Sequence, residues 1–204
     1  MTIKDKTTEE KILEAAHEVF IQKGMDGART QEIAVKAGIN KALLHYYYRT
    51  KDMLFIAVFK KVITHIIPSI TDIFNSDAKF SEKIEVFVSR YMSLILKNPF
   101  LPGFVLHEIS RNPDKLANII KEGGVNPELF INTIKKAIDD GEIRPIEPRQ
   151  LILNIFALCL FPVVARPIMQ RIFFENNSKE YNLFLEGRTR EITDFVLKSI
   201  QPIK

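Results

Sequence analysis

The sequence holds one cysteine, Cys159, no tryptophan and four histidines among its 204 residues. A single cysteine excludes an internal disulfide framework and suits a reducing cytoplasm. The histidines, at positions 17, 45, 65 and 107, are scattered, and no Glu/His pair has the helical spacing that binds metal. There is no glycine-rich phosphate loop and no serine elbow. Cys159 lies in an apolar run with no neighbouring base, which reads as an inert thiol. No catalytic residue, metal or cofactor is therefore expected, and the chain does not read as an enzyme. The opening residues, MTIKDKTTEEK, carry no apolar signal core. Long hydrophobic runs are equally scarce. Residues 151–165 are nearly all apolar, but a membrane span needs about 20 residues, and Asn154 and Pro162 interrupt the run. It reads as a buried helix, and no membrane partner is expected.

What is present is apolar material and unevenly placed charge. Hydrophobic residues make up 46% of the chain, enough for a real core and too many for disorder. The net charge is +4. Residues 1–28 hold four lysines and six acidic residues, whereas residues 29–61 hold seven basic and two acidic ones. The remainder is nearly balanced, with eighteen basic and seventeen acidic residues. The whole excess thus sits in about thirty residues, as on a polyanion-binding surface. A solvated charged helix face has the same composition.

Helical periodicity dominates. Over residues 8–23, Ile12, Ala15, Ala16, Val19 and Phe20 fall on one stripe. Thr7 or Thr8 can cap it, Glu9 and Glu10 suit its first turn, and Gly24 ends it. Short helices are predicted over 30–37 and 41–47, separated by Gly38, with Asn40 as a cap. A fourth starts near Lys51 and is bent or ended by Pro68. Further helices are predicted over 81–97, 102–110, 114–123, 127–140, 147–174 and 179–200, between breakers such as Asn98-Pro99, Asn112-Pro113 and Gly123-Gly124. The fold class is all-α, with a domain seam inside the fourth helix.

The segment 28–51, ARTQEIAVKAGINKALLHYYYRTK, has two short helices and a tight glycine turn, the helix-turn-helix pattern. Ala34 lets the helices approach, Gly38 ends the first, and Ile39 and Leu44 turn inward. The second short helix is pushed outward, where its N-terminal residues can reach base edges. The run Gln31-Glu32-Ile33-Ala34, then Ala37-Gly38-Ile39-Asn40-Lys41-Ala42-Leu43-Leu44-His45-Tyr46-Tyr47-Tyr48, then Lys51 resembles the signature of the TetR family of transcriptional regulators. The resemblance is strong over residues 8–60 and weakens to general architecture beyond.

The resemblance implies a DNA-binding domain over 1–60, with the helix-turn-helix at about 30–49, and an effector-binding and dimerisation domain over 61–204. It implies backbone and edge-of-site contacts for Thr30 and Gln31, base contacts for Lys41, Ala42 and Leu43, and groove-flanking contacts for His45, Tyr46 and Tyr47. Lys51 is implied as a phosphate contact. Leu44 and Tyr48 read as packing. Three positions depart from the family pattern. Arg29 stands at a usual capping threonine, His45 replaces a usual tyrosine, and Leu43 a frequent threonine.

The implied partners are double-stranded operator DNA, a second copy of the chain and a hydrophobic small-molecule effector. The two apolar helices predicted over 147–174 and 179–200 can pair with their symmetry mates in a four-helix interface. Pro162 and Pro167 are expected to kink the first of them and shape that interface. Met92, Phe104, His107, Phe130 and Phe156 are candidate effector contacts, and each also fits an ordinary core position. Two other readings keep the DNA binding: a factor controlled by a protein partner, and an activator rather than a repressor.

Overall fold

A computed structural model describes residues 7–202, so part of the N-terminal stretch read for a signal core lies outside the described residues. The described residues form eleven helices and no strand, as the all-α expectation requires. In order they are α1 (Thr8–Gly27), α2 (Thr30–Lys36), α3 (Lys41–Tyr47), α4 (Lys51–Asn75), α5 (Phe80–Lys97) and α6 (Leu101–Arg111). There follow α7 (Pro113–Glu122), α8 (Pro127–Asp139), α9 (Pro148–Val164), α10 (Arg166–Phe173) and α11 (Ser178–Ser199). They make two compact units. The first reaches His65 and takes in Asn98–Gly123; the second holds Ile66–Lys97 and the chain from Gly124 onward. The division falls within α4, and α6 and α7 group with the N-terminal helices.

In the first unit, Thr7 caps α1. Its Oγ1 accepts the Glu10 N–H at 3.2 Å, and Glu10 Oε2 accepts the Thr7 N–H at 2.8 Å. This reciprocal box satisfies two otherwise orphaned donors. The predicted stripe from Ile12 to Phe20 is buried. Gly24, at φ +67° and ψ −178°, breaks the helix in a conformation open essentially to glycine alone, and one further turn runs to Gly27. Aromatic packing brings α6 in. Phe55 lies 4.7 Å from Phe20, 5.4 Å from Phe100 and 4.5 Å from Phe104, ring centre to ring centre. His17 on α1 sits 2.6 Å from Asn98 Oδ1.

Helix α4 continues through Pro68, where the sequence pattern predicts a bend or an end. It is long and apolar enough, by length and composition, to cross a membrane. An amphipathic core helix has the same length and composition, and Leu54, Phe55, Val58 and Phe59 are all buried here. Lys60, on its other side, pairs with Glu122 at 2.7 Å.

The second unit packs α5, α8, α9 and α11 around Phe87, Val88, Met92, Ile134, Leu151, Ile155, Cys159, Ile192 and Val196. Its prolines shape α9. The sequence pattern predicts one helix over 147–174 kinked by Pro162 and Pro167; the chain forms two, α9 and α10, which meet at a bend of 71°. Pro162 has no N–H, so the Leu158 carbonyl four residues earlier loses its helical donor. Arg188 of α11 donates to that carbonyl at 3.3 Å. The Pro162 carbonyl is one of the last in the helix, and the Tyr181 hydroxyl donates to it at 2.6 Å. Two side chains of α11 therefore satisfy the carbonyls exposed at the bend.

The outer surfaces of these helices remain apolar. Leu153 and Phe161 on α9, Ile172 on α10, and Leu183 and Phe195 on α11 are each more than half exposed. Helix α9 thus buries Leu151, Ile155 and Cys159 on one side and shows apolar side chains on the other.

Two outcomes follow from this packing. Tyr181→Phe keeps the ring and removes the hydrogen bond, so it should lower unfolding stability by about 1–3 kcal/mol, read by urea denaturation. Burial pushes the Cys159 thiol up to about 12. Native protein at pH 8 should therefore resist iodoacetamide while urea-unfolded protein is alkylated; equal rates would contradict the buried thiol.

Candidate nucleic-acid interface

Helix α2 is held against α1 by apolar contacts and ion pairs. Ile33 and Ala34 are fully buried. Lys36 pairs with Glu18 at 2.6 Å and Lys23 with Glu32 at 2.7 Å. The lysine beside Glu18 holds that carboxyl below its ordinary range, chiefly through the hydrogen bond. These pairs also spend charge. Lys36 and Lys60 belong to the basic stretch read from sequence, yet each is neutralised locally. Arg29, Lys41 and Arg49 are exposed.

The turn between α2 and α3 closes on Gly38, at φ +71°. The Gly38 N–H donates to the Val35 carbonyl and the Ile39 N–H to the Ala34 carbonyl, each at 3.0 Å. This is the paired helix-ending motif that needs a left-handed residue. Asn40 then caps α3, its Oδ1 accepting the Leu43 N–H at 2.8 Å. Arg29 caps α2 with no side-chain hydrogen bond, so the threonine cap is not replaced by another side chain.

Helix α3 is anchored by a single buried residue of its own, Leu44. Tyr48 follows one turn later, buried, and its hydroxyl donates to Glu9 Oε1 at 2.9 Å. Burial first, and then Glu9, push this phenol up from its ordinary range. Everything else on α3 faces out. Lys41, Ala42, Leu43, His45, Tyr46 and Tyr47 are all exposed, Tyr46 at 81%. Tyr46 and Tyr47 meet edge to face at 5.8 Å. Gln31 is exposed and Thr30 half-buried at the start of α2. Lys51 is half-buried, and its ammonium reaches the carbonyls of Asp26 at 3.4 Å and Ala28 at 3.3 Å. It thus ties the turn after α1 to the start of α4. Cationic and aromatic side chains on α3 and an amide on α2 are thus exposed on two short helices, the chemistry that contacts phosphates and base edges.

The five candidate effector residues divide between the two units. Met92, Phe130 and Phe156 belong to the second unit, where Met92 is fully buried and the two rings are partly so. Phe104 is in the first unit, packed on Phe55 and Phe59, and His107 is exposed on the same helix. The aromatic contacts of Phe100 and Phe104 with Phe20 and Phe55 were not anticipated, because i, i+4 aromatic spacing shows a buried face but not its partner. The same holds for His17 with Asn98 and for the Tyr48 hydroxyl with Glu9.

Comparison with known proteins places this geometry. Residues 12–58 match the family described as bacterial regulatory proteins, tetR family. The HTH-type transcriptional regulator YvdT of Bacillus subtilis is 32% identical over 79 residues, covering 39% of this chain and 41% of that protein. The match therefore spans less than half of that relative. The fatty acid metabolism regulator protein of the same organism is 24% identical over 136 residues, covering 65% of this chain and 69% of it. In fold, the chain is similar to the transcriptional regulator FadR from Bacillus subtilis, solved in complex with stearoyl-CoA. That likeness has a TM-score of 0.67 at 19% identity and covers 92% of this chain and 97% of that one. All three are named as regulators. The N-terminal segment of this chain, residues 12–58, thus matches the tetR family of bacterial regulatory proteins, and the chain shares the fold of solved transcriptional regulators.

Proposed function

We propose that this protein is a ligand-responsive repressor that binds a palindromic operator as a homodimer. The observation that carries the reading is the outer face of α3, where Lys41, Ala42, Leu43, His45, Tyr46 and Tyr47 are exposed around one buried leucine. Lysine can donate to guanine O6 and N7, and apolar atoms can touch a thymine methyl. Phosphate contacts from Thr30, Lys51 and the tyrosine hydroxyls supply affinity and make it steeply salt-dependent. Gln31 and the segment 41–45 supply specificity. Such a protein works in the cytoplasm, on the chromosome.

The homodimer reading rests on the apolar outer faces of α9, α10 and α11. Leu153, Phe161, Ile172, Leu183 and Phe195 are too exposed and too numerous for a solvated surface, and a symmetric pair of these helices covers them. A two-fold dimer in turn calls for an operator with two half-sites about 34 Å apart. The effector reading rests on the aromatic second unit and on the relatives, one named as a fatty acid metabolism regulator and one solved with stearoyl-CoA. A long-chain acyl compound is the ligand class they suggest. It acts by favouring a dimer form whose recognition helices are wrongly spaced, and its leverage is its affinity difference between the two forms.

The deciding experiment is selection of binding sites from random duplex DNA by purified protein. A palindrome with half-sites one helical turn apart is expected; no enrichment by folded dimer would overturn the operator reading. Lys41→Ala should change preference at one or two positions of that site, and an unchanged profile would remove Lys41 from direct readout. Lys51→Ala should weaken binding to all sequences alike and reduce the salt slope by about one. It should also lower stability slightly, because it releases two turn carbonyls. Altered base preference in this variant would contradict its role.

A further inference from the structure

Arg29 occupies the cap position of α2 and gives that helix no side-chain hydrogen bond. It is exposed, and among the described residues its side chain makes no hydrogen bond, ion pair or ring contact. Other basic residues of the first unit are engaged: Lys23, Lys36 and Lys60 pair with Glu32, Glu18 and Glu122. A serine, threonine or asparagine in the cap position would accept a free N–H, as Asn40 does for α3. The arginine therefore adds nothing to the stability of α2, and its five donors remain available.

Lys51 is held beside it. The ammonium reaches the Ala28 carbonyl at 3.3 Å and the Asp26 carbonyl at 3.4 Å. Arg29 follows Ala28 directly, so standard bond lengths keep its Cα within about 6 Å of the Lys51 ammonium. An extended arginine side chain spans that distance. Both carbonyls are neutral, and they occupy two of the three ammonium donors. Asp26 and Asp52 are the acids next to these positions in the chain. Both are exposed, and among the described residues neither pairs with Arg29 or Lys51. Two cations this close repel each other, and an anion between them turns that repulsion into attraction. The tie also fixes where the pair stands: Thr30 and Gln31, at the start of α2, follow Arg29 immediately.

We propose that Arg29 and Lys51 grip a single phosphate of the DNA backbone between them. The proposal rests on the operator reading above and adds to it a contact at Arg29 shared with Lys51. A phosphodiester has two unesterified oxygens. The planar guanidinium fork donates to them, and the remaining ammonium N–H closes on the same group. A contact of this kind sets position and strength and carries no base information.

Binding of the full-length protein to its selected duplex, measured by fluorescence anisotropy over a range of salt, tests the clamp. Arg29→Gln should reduce the salt slope by about one and leave the selected sequence unchanged. Lys51→Ala should do the same. The double variant should also lose about one rather than about two, because the counterions released belong to one phosphate. Neutral methylphosphonates, placed one at a time, should reveal one phosphate in each half-site at which Arg29→Gln changes affinity by less than about twofold. At every other phosphate the variant should keep its full effect. Arg29→Gln should leave the urea midpoint unchanged, since the side chain touches nothing in the chain, so these losses are not losses of folded protein. A double variant whose slope falls by about two, or no single methylphosphonate that absorbs the effect of Arg29→Gln, overturns the shared clamp and leaves operator binding intact. A changed base preference in Arg29→Gln assigns its side chain to a base edge and overturns the proposal as well. If folded wild-type dimer selects no site, the operator reading fails and the clamp falls with it.

Discussion

A helix of seven residues does not hold itself together in water, since nucleation costs more than one or two internal hydrogen bonds return. Helix α3 is that short, and its persistence depends on the burial of Leu44 and, one turn later, Tyr48. The rest of the first unit can be understood from this constraint. The Gly38 turn delivers Leu44 to the core, Asn40 satisfies the first free N–H groups, and Glu9 receives the Tyr48 hydroxyl. Because one residue of α3 is buried, its remaining surface is available to a partner. The economy of the anchor and the breadth of the exposed face have the same cause.

The second unit shows the opposite arrangement, in which a disruption is built in and then contained. Pro162 removes a donor from the interior of α9, and a sharp bend into α10 follows. A buried carbonyl without a partner would be expensive. Arg188 and Tyr181 supply the missing hydrogen bonds from α11, so the bend is fastened to the neighbouring helix. The Nε–H of the same guanidinium is buried without a partner, so this repair leaves one donor unused.

Some of this was open to reading in the residues. Period-3.6 stripes placed the helices to within a residue or two at most ends, because amphipathic periodicity, caps and glycine stops are local signals. The cap at Asn40, the stop at Gly38 and the burial of Leu44 needed only neighbouring residues for their prediction. Pro68 lies inside α4, one of the two places its pattern allows, and the helix runs on to Asn75. The long helix expected over 147–174 divides in two, since a proline pattern signals a break but not its angle. Phe104 was grouped with Met92, Phe130 and Phe156 by chemical type, yet it packs with Phe55 and Phe59 in the other unit. An aromatic side chain announces that it will be buried, not against what.

The sequence by itself determined the helical class, the positions of the turns, the helix-turn-helix and which residues of α3 point outward. All of these follow from interactions between residues a few positions apart. Only the tertiary structure decided that α6 and α7 join the N-terminal helices, that His17 meets Asn98, that Lys36 and Lys60 pair with Glu18 and Glu122, and that Arg188 reaches α9 with a donor to spare. Those pairings link residues far apart in the chain. Each depends on how helix faces pack, and many partners would serve any one apolar stripe or surface charge equally well.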